Sequence, residues 1–129
     1  MTKNPKKKIL FADDEEGLRE IYELRFKDEV FDSVFAKDGD EALEKIRKEK
    51  PDLVLLDIMM PGKNGMEVLE EIKKDPTTAD IPVFMLTVLD DDDIRDKAFD
   101  LGAKYYLVKS SVVPPEVIKL MKEELYGEK

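Results

Sequence analysis

Short, uninterrupted apolar runs recur along the chain, and they are the feature that most constrains its fold. Four are strong: ILFA at 9–12, LVLL at 53–56, VFML at 83–86 and YYLV at 105–108. A fifth, SVFA at 33–36, is weaker. Apolar and polar residues do not alternate within these runs as they do in a strand with one solvated face. The runs therefore predict strands that are buried on both faces, as in a parallel sheet covered by helices.

Segments with the apolar spacing of amphipathic helices lie between and after these runs. They are GLREIYELRF, EALEKIRK, MEVLEEIKK, DIRDKAFDLG and PPEVIKLMKEEL. Gly102 stands where a helix would end, Asn64 and Gly65 where one would begin, and Pro114 and Pro115 where a first turn tolerates proline. This alternation predicts a doubly wound α/β sheet with about five helices in a single domain, 1–129. Residues 1–7 are expected to form a flexible basic tail.

Polar residues with complementary chemistry follow the four strong runs. Asp13 and Asp14 follow the first, Asp57 the second, Thr87 ends the third, and Lys109 follows the fourth. In doubly wound sheets the ligand binds beyond the carboxyl ends of the strands. Three carboxylates at one edge need a cation, and oxygen ligands suit Mg²⁺. A hydroxyl and an ammonium beside the metal would bind phosphoryl oxygens, so the sequence predicts an edge that holds and transfers phosphate.

A simpler interpretation stays open for each of these residues taken alone, because strands commonly end in polar residues where the chain leaves the core. The acidic runs DEEG and DDDD are interpreted as helix starts. Glu15 and Glu16 would begin the first helix and Asp90–Asp93 the fourth, opposing the positive end of the helix dipole. Lys109 and Ser110 also resemble the end of a Walker A loop, but no glycine precedes them at the required spacing, so a P-loop is rejected.

Composition excludes several classes of function. The chain has no cysteine and no histidine, so thiolate or imidazole catalysis and metal sites with those ligands are impossible. Its formal charge of −9 disfavours direct binding to nucleic acid or to an anionic membrane. The basic start lacks the long apolar segment of a signal peptide, and no stretch approaches a membrane span. A cytoplasmic protein with no nucleic-acid or membrane partner is expected.

Five segments, taken in order, closely resemble the receiver domain of bacterial two-component response regulators, of the chemotaxis-regulator (CheY-like) type. They are ILFADDE, AKDGDEALEKI, PDLVLLDIMMPGKNGMEVL, IPVFMLT and LGAKYYLVK, and together they span nearly the whole chain. The most specific piece runs from Asp57 to Gly65, joining an acceptor aspartate to its turn. The resemblance implies a flavodoxin-like sheet in the order 2-1-3-4-5.

The resemblance also implies a role for each residue at the predicted edge. It implies that Asp57 is the phosphoacceptor and that Asp13 and Asp14, together with Asp57 and the carbonyl of Met59, position Mg²⁺. It implies that Thr87 and Lys109 bind the phosphoryl oxygens. It further implies that Thr87 and Tyr106 are the switch residues.

A phosphorylation-dependent signalling switch is the function implied, with self-catalysed phosphoryl transfer and autodephosphorylation but no role as an enzyme. Because the chain has no histidine, the phosphoryl group must come from a sensor histidine kinase or a phosphotransfer protein. The downstream protein target would bind the fourth helix, last strand and last helix. A natural single-domain regulator and a piece of a longer regulator both fit.

Four residues depart from the usual pattern of this family. Ser110 stands where the family usually has a proline in a cis peptide, and a cis bond to a non-proline residue costs about 2.5–4 kcal/mol. Val88 replaces a smaller residue, and Met59 and Leu89 are apolar at positions that influence dephosphorylation. We expect slow hydrolysis of the phosphorylated form, because Met59 and Leu89 cannot orient water and the branched Val88 narrows access to the phosphoryl group.

Two other functions are compatible with parts of the sequence. A Mg²⁺-dependent phosphatase of the haloacid-dehalogenase type would use an aspartyl nucleophile, but it needs a second acid where Met59 stands. A receiver-like scaffold without phosphoryl chemistry is the other alternative. The presence of all the phosphoryl-binding residues argues against it, whereas Val88 and Ser110 keep it open.

Overall fold

Five parallel strands form one sheet in the computed structural model, which describes residues 6–127. They are β1 (Lys8–Ala12), β2 (Asp32–Ala36), β3 (Leu53–Leu56), β4 (Val83–Thr87) and β5 (Tyr105–Val108). The strand order is β2-β1-β3-β4-β5. The doubly wound sheet and its expected order are thus confirmed. The predicted tail, 1–7, lies mostly outside the described residues, and Lys6 and Lys7 precede β1 without joining a helix or strand.

The helices alternate with the strands as predicted. They are α1 (Glu16–Asp28), α2 (Gly39–Glu49), α3 (Gly65–Lys74), α4 (Asp92–Asp100) and α5 (Pro114–Tyr126), and a short 3-10 turn, Lys109–Ser111, follows β5. Asn64 precedes α3 and caps it reciprocally: its side chain accepts from Glu67 N, and the Glu67 side chain accepts from Asn64 N, both at 3.0 Å. Within residues 6–127, none of the helices has both the length and the apolar character that crossing a bilayer requires.

Two cores lie on opposite faces of the sheet. On one face α2, α3 and α4 bury aliphatic side chains such as Ile46, Leu69 and Ala98. On the other face α1 and α5 cover an aromatic cluster, in which the Phe11 and Tyr22 rings meet edge to face with centroids 4.9 Å apart. Residues of the central strands alternate between the two cores, as their continuous apolar runs predicted.

Pairing between the strands continues past their ends and positions the first residues of the loops. Ala12 is in register with Ala36 on β2 and with Leu56 on β3. One residue further, Asp13 N donates to Ala36 O and Asp57 N donates to Ala12 O, both at 3.0 Å. The two aspartates are therefore fixed side by side by the sheet itself.

Val30, which follows α1, has a left-handed backbone conformation with φ of 61°. It occupies the position after the helix end where glycine is preferred, and its N–H donates to Lys27 O at 3.0 Å. A β-branched residue is strained in this conformation, and the exposed Val30 side chain gains little from burial.

We expect Val30→Gly to raise the free energy of unfolding by about 0.5–1 kcal/mol, because relief of the strain exceeds the added entropy of the unfolded chain. Urea denaturation would measure the change. Val30→Ala is the matched control, since it keeps the Cβ atom and most of the strain. An equal gain in both variants would contradict this explanation.

Candidate functional site

Three carboxylates, those of Asp13, Asp14 and Asp57, meet at the carboxyl ends of β1 and β3. One oxygen of each lies within 4.8 Å of the others. Asp13 is completely buried, Asp57 is 3% exposed, and Asp14 is exposed. Carboxylates are rarely buried unless they are paired, so this cluster needs positive charge nearby.

Backbone groups hold one oxygen of each buried carboxylate. Asp57 Oδ1 accepts from Ile58 N at 2.7 Å and from Met59 N at 3.3 Å. Asp13 Oδ1 accepts from Glu15 N at 2.9 Å. These contacts leave the Oδ2 atom of each aspartate for cationic partners.

Lys109 supplies positive charge from the end of β5. Its Nζ atom lies 2.7 Å from Asp13 Oδ2, 3.3 Å from Asp57 Oδ2 and 3.4 Å from Glu15 Oε1. The lysine side chain is only 15% exposed, so solvent screens these contacts with the buried aspartates weakly. The ammonium thus bridges the ends of β1, β3 and β5.

The negative charge of Asp57 is only partly compensated by the neighbouring positive charge. Burial raises the pKa of Asp57 above its usual range, the negative charge of Asp13 raises it further, and Lys109 only partly opposes both effects. Burial would lower the pKa of Lys109, but its contacts with Asp13 and Asp57 outweigh burial and raise it. Lys109 therefore stays charged, and the site favours additional positive charge beside Asp57.

Thr87 and Tyr106 lie near the carboxyl ends of β4 and β5. Thr87 is fully buried, and its Oγ1 accepts from Leu89 N at 3.3 Å. The hydroxyl of Tyr106 donates to Leu89 O at 2.7 Å. Tyr105 points to the opposite face of the sheet, where its ring meets that of Phe84 at a centroid distance of 4.8 Å. The loop after Thr87 thus connects the site to Tyr106 rather than to Tyr105.

A glycine packs against the backbone that carries Asp57. A Cβ atom at Gly65 would collide with the carbonyl of Asp57 and with Cα of Ile58. Gly65 N donates to Ile58 O at 2.8 Å, which closes the turn between β3 and α3. The start of α3 therefore fixes the position of Asp57.

The residues at this edge fit a magnesium ion. All the donor atoms of the cluster are carboxylate oxygens, which Mg²⁺ prefers. Asp13 Oδ2 is buried and lies 2.7 Å from the Lys109 ammonium, but among the described residues no donor forms a regular hydrogen bond with it. An oxygen in this state is a suitable ligand for a cation. The predicted role of the Met59 carbonyl stays a prediction.

Among the residues that depart from the pattern of the resembled family, Met59 lies two residues after Asp57 and Val88 directly follows β4. Met59 is 54% exposed and Val88 is 59% exposed. The Lys109–Ser110 peptide is trans, like every other described peptide bond. Lys109 reaches the aspartates from this trans backbone.

Two contacts at the site were not foreseen from the sequence. Glu15 was interpreted only as a helix start, but its side chain reaches Lys109. Arg19, one turn into α1, donates from Nη1 to Asp13 O at 2.6 Å. Lys109 lies 94 residues from Glu15 in the sequence, so no local sequence pattern predicts their contact. Helical spacing could have predicted that Arg19 lies near the start of α1, which is the end of the helix next to Asp13.

The sequence and the fold match a known family. Residues 9–122 match the family model for the response regulator receiver domain. The "Probable transcriptional regulator ycf27" of Porphyridium aerugineum is 43% identical over 104 residues, which are 81% of this chain and 42% of that protein. A protein of the same name from Guillardia theta is 45% identical over 104 residues, covering 81% of this chain and 40% of that protein. The chain thus spans less than half the length of these curated relatives.

Solved structures agree with this match. The BeF3-activated receiver domain of Klebsiella pneumoniae RstA superposes with a TM-score of 0.84 at 32% identity, covering 93% of this chain and 99% of that one. The phosphorylated cyanobacterial phytochrome response regulator RcpA gives a TM-score of 0.83 at 33% identity, covering 97% and 98%. The chemotaxis protein CheY4 of Vibrio cholerae gives 0.84 at 26%, covering 92% and 98%.

Proposed function

Because the chain belongs to the response regulator receiver domain family, we propose that Asp57 accepts a phosphoryl group from a phosphohistidine and that the chain relays this event to a protein partner. The donor is a sensor histidine kinase or a phosphotransfer protein, since the chain has no histidine of its own. The chain acts as a switch whose own residues assist transfer and hydrolysis, rather than as an enzyme. The Lys109 ammonium, 2.7 Å from Asp13 and 3.3 Å from Asp57 on a buried edge, is the observation that carries the proposal.

Transfer requires a carboxylate oxygen of Asp57 to attack the phosphorus of the donor. The new P–O bond forms as the P–N bond to the donor imidazole breaks, and the imidazole leaves with the electron pair of that bond. Lys109 and the Thr87 hydroxyl bind phosphoryl oxygens, while the amides of Ile58 and Met59 hold the carboxylate in place. A magnesium ion held by Asp13, Asp14 and Asp57 would supply charge neutralisation.

Intact mass after incubation with acetyl phosphate and Mg²⁺ tests this proposal. One phosphoryl adduct is expected on the wild type, and none on Asp57→Asn or in excess chelator. Asp96→Asn is the matched control, because Asp96 is an exposed acid on α4, away from the cluster. Labelling of Asp57→Asn, or labelling of the wild type that chelator leaves undiminished, would refute the proposal.

The proposed output surface consists of α4, β5 and α5, and Tyr106 connects it to the acceptor. The Tyr106 hydroxyl bonds to Leu89 O, and Leu89 N bonds to Thr87 Oγ1. A phosphoryl group that draws the Thr87 hydroxyl toward itself would disturb both bonds. Lys104, beside β5, pairs with Glu124 of α5 at 3.6 Å, so movement of β5 would also change the position of α5.

We therefore expect beryllofluoride with Mg²⁺ to shift the amide resonances of Tyr106 and Lys104 as well as those around Asp57. Nitrogen–proton correlation spectra would measure these shifts. Tyr105 is the internal control, since it packs in the other core and should shift less. Shifts restricted to the Asp57 edge would show that the relay through Tyr106 is wrong.

Two apolar residues, the exposed Met59 and the partly buried Leu89, lead to an expectation about hydrolysis of the acyl phosphate. Neither Met59 nor Leu89 can orient a water molecule for attack on the acyl phosphate. Met59→Asn should therefore shorten the lifetime of the phosphorylated form about tenfold, less than the roughly hundredfold or more of a true general base, because an amide can orient water but cannot take its proton. Decay followed by intact mass would measure it, with Met66→Asn, on α3, as control. Equal lifetimes in the wild type and Met59→Asn would contradict this explanation.

A further inference from the structure

Glu15 makes the contact at this site that the phosphoryl chemistry leaves unexplained. Its Oε1 lies 3.4 Å from Lys109 Nζ, yet the Glu15 side chain is 66% exposed, whereas the Asp13 and Asp57 side chains are 0% and 5% exposed. Asp13 and Asp57 hold the ammonium from inside the site, and Glu15 holds it from the solvent side.

The Glu15 side chain has no other structural function among the described residues. Glu15 precedes α1 at the N-cap position, but its side chain makes no capping hydrogen bond there. The backbone N–H of Glu15, which donates to Asp13 Oδ1, does not depend on the side chain. Replacement of the carboxylate by an amide would therefore remove the negative charge that faces Lys109 and leave the backbone contact in place.

A lysine ammonium has three hydrogens to donate, and three carboxylates already surround that of Lys109. A phosphoryl group on Asp57 brings further anionic oxygens that need the same ammonium. The buried aspartates cannot withdraw, because the sheet fixes their backbones. Glu15 can, because its exposed side chain is free to turn into solvent.

On the basis of the proposed function, we infer that Glu15 is a positioning residue. Its carboxylate binds the Lys109 ammonium in the unphosphorylated state and must release it when Asp57 accepts a phosphoryl group. The Glu15 carboxylate also repels an incoming anionic donor. Both effects slow the transfer of a phosphoryl group to Asp57. The contact between Glu15 and Lys109 therefore makes the unphosphorylated form react more slowly with small anionic phosphodonors.

The matched pair Glu15→Gln and Glu16→Gln tests the inference. Each removes one negative charge from the same end of α1, but among the described residues Lys109 forms ion pairs with Asp13, Glu15 and Asp57 and not with Glu16. With acetyl phosphate and Mg²⁺ at low salt, Glu15→Gln should acquire the adduct about two- to fivefold faster than Glu16→Gln, the range expected from loss of an exposed ion pair. The difference should shrink near 1 M salt, where the screening length falls to about 3 Å.

Beryllofluoride affinity gives a second measurement that a purely structural role would not change. Glu15→Gln should bind beryllofluoride two- to fivefold more tightly than Glu16→Gln, and Glu15→Asp, which keeps the charge but shortens the reach, should lie between Glu15→Gln and the wild type. Equal rates and affinities for the Gln variants would overturn the inference while leaving the proposed function intact. A wild type that never acquires the adduct would instead refute the proposed function, and the inference with it.

Discussion

Gly65→Ala is expected to lower the free energy of unfolding by about 3 kcal/mol, the upper part of the range for overpacking a buried position. The added Cβ would meet the carbonyl group of Asp57 and Cα of Ile58, which are backbone atoms and cannot turn aside. Relief would require α3 to move away from β3, and that movement would strain the bond from Gly65 N to Ile58 O. It would also displace Asp57 itself.

Urea denaturation of the metal-free protein would measure this loss. Gly17→Ala is the matched control, because a Cβ at Gly17 meets nothing within 4 Å and Gly17 lies within α1. That control should gain about 0.5 kcal/mol from the better helix propensity of alanine. A Gly65→Ala protein as stable as the wild type would show that the turn between β3 and α3 can open without loss of stability. The turn could then not fix the position of Asp57.

Mg²⁺ is expected to reverse the order of stability of the wild type and Asp57→Asn. Without metal, Asp57→Asn should be the more stable protein at neutral pH, because the amide removes a buried charge next to Asp13 and still accepts from the Ile58 and Met59 amides. With Mg²⁺ at a hundred times its dissociation constant, the wild type should gain about 2.7 kcal/mol and the variant much less.

The pH dependence of the metal-free protein has a definite sign. The pKa of Asp57 is raised in the folded protein above its ordinary value of 3.8, so the folded state binds the proton more tightly than the unfolded state does. The contribution of Asp57 to stability is therefore most favourable below the ordinary pKa and is lost as the pH rises through the raised pKa. The advantage of Asp57→Asn should grow over that window and vanish at lower pH.

Thermal melts of both proteins in chelator and in Mg²⁺, across pH 3 to 8, would measure these effects. Asp96→Asn again serves as control. Because the Asp96 carboxylate is exposed and lies outside the cluster, its removal should change neither the metal-free stability nor the effect of Mg²⁺. A melting temperature of the wild type that Mg²⁺ leaves unchanged would argue against a metal site at this edge.

The sequence predicted the sheet well because its strands carry the information locally. The central strands are continuous apolar runs, and the residues that end them share one edge in any parallel sheet. Asp13, Asp57 and Lys109 could thus be brought together without knowledge of any distance. Their chemical roles remain predictions that the experiments above address.

Other features could not be predicted because they depend on contacts between distant segments. Which carboxylates Lys109 bonds depends on how far β5 extends relative to β1, and the sequence does not state that distance. Glu15 satisfied a local rule for helix starts, and this rule concealed its contact with Lys109. The left-handed Val30 was missed for the opposite reason, since a β-branched residue gives no local sign of positive φ.

The alternation of each central strand between the two cores has a consequence for hydrogen exchange. Ile9 and Phe11 of β1 lie in the aromatic core, while Leu10 and Ala12 lie in the aliphatic core, so neither layer of helices can detach without uncovering the same strand. Amides of β1 and β3 should therefore exchange only through cooperative global unfolding. β5, at the edge of the sheet, has one neighbouring strand and is expected to open at a lower free energy than β1 or β3. Asp13 and Asp57 are attached to the slowest-exchanging part of the molecule and Lys109 to a faster one, so the lysine is the member of the site that can adjust its position while the carboxylates stay fixed.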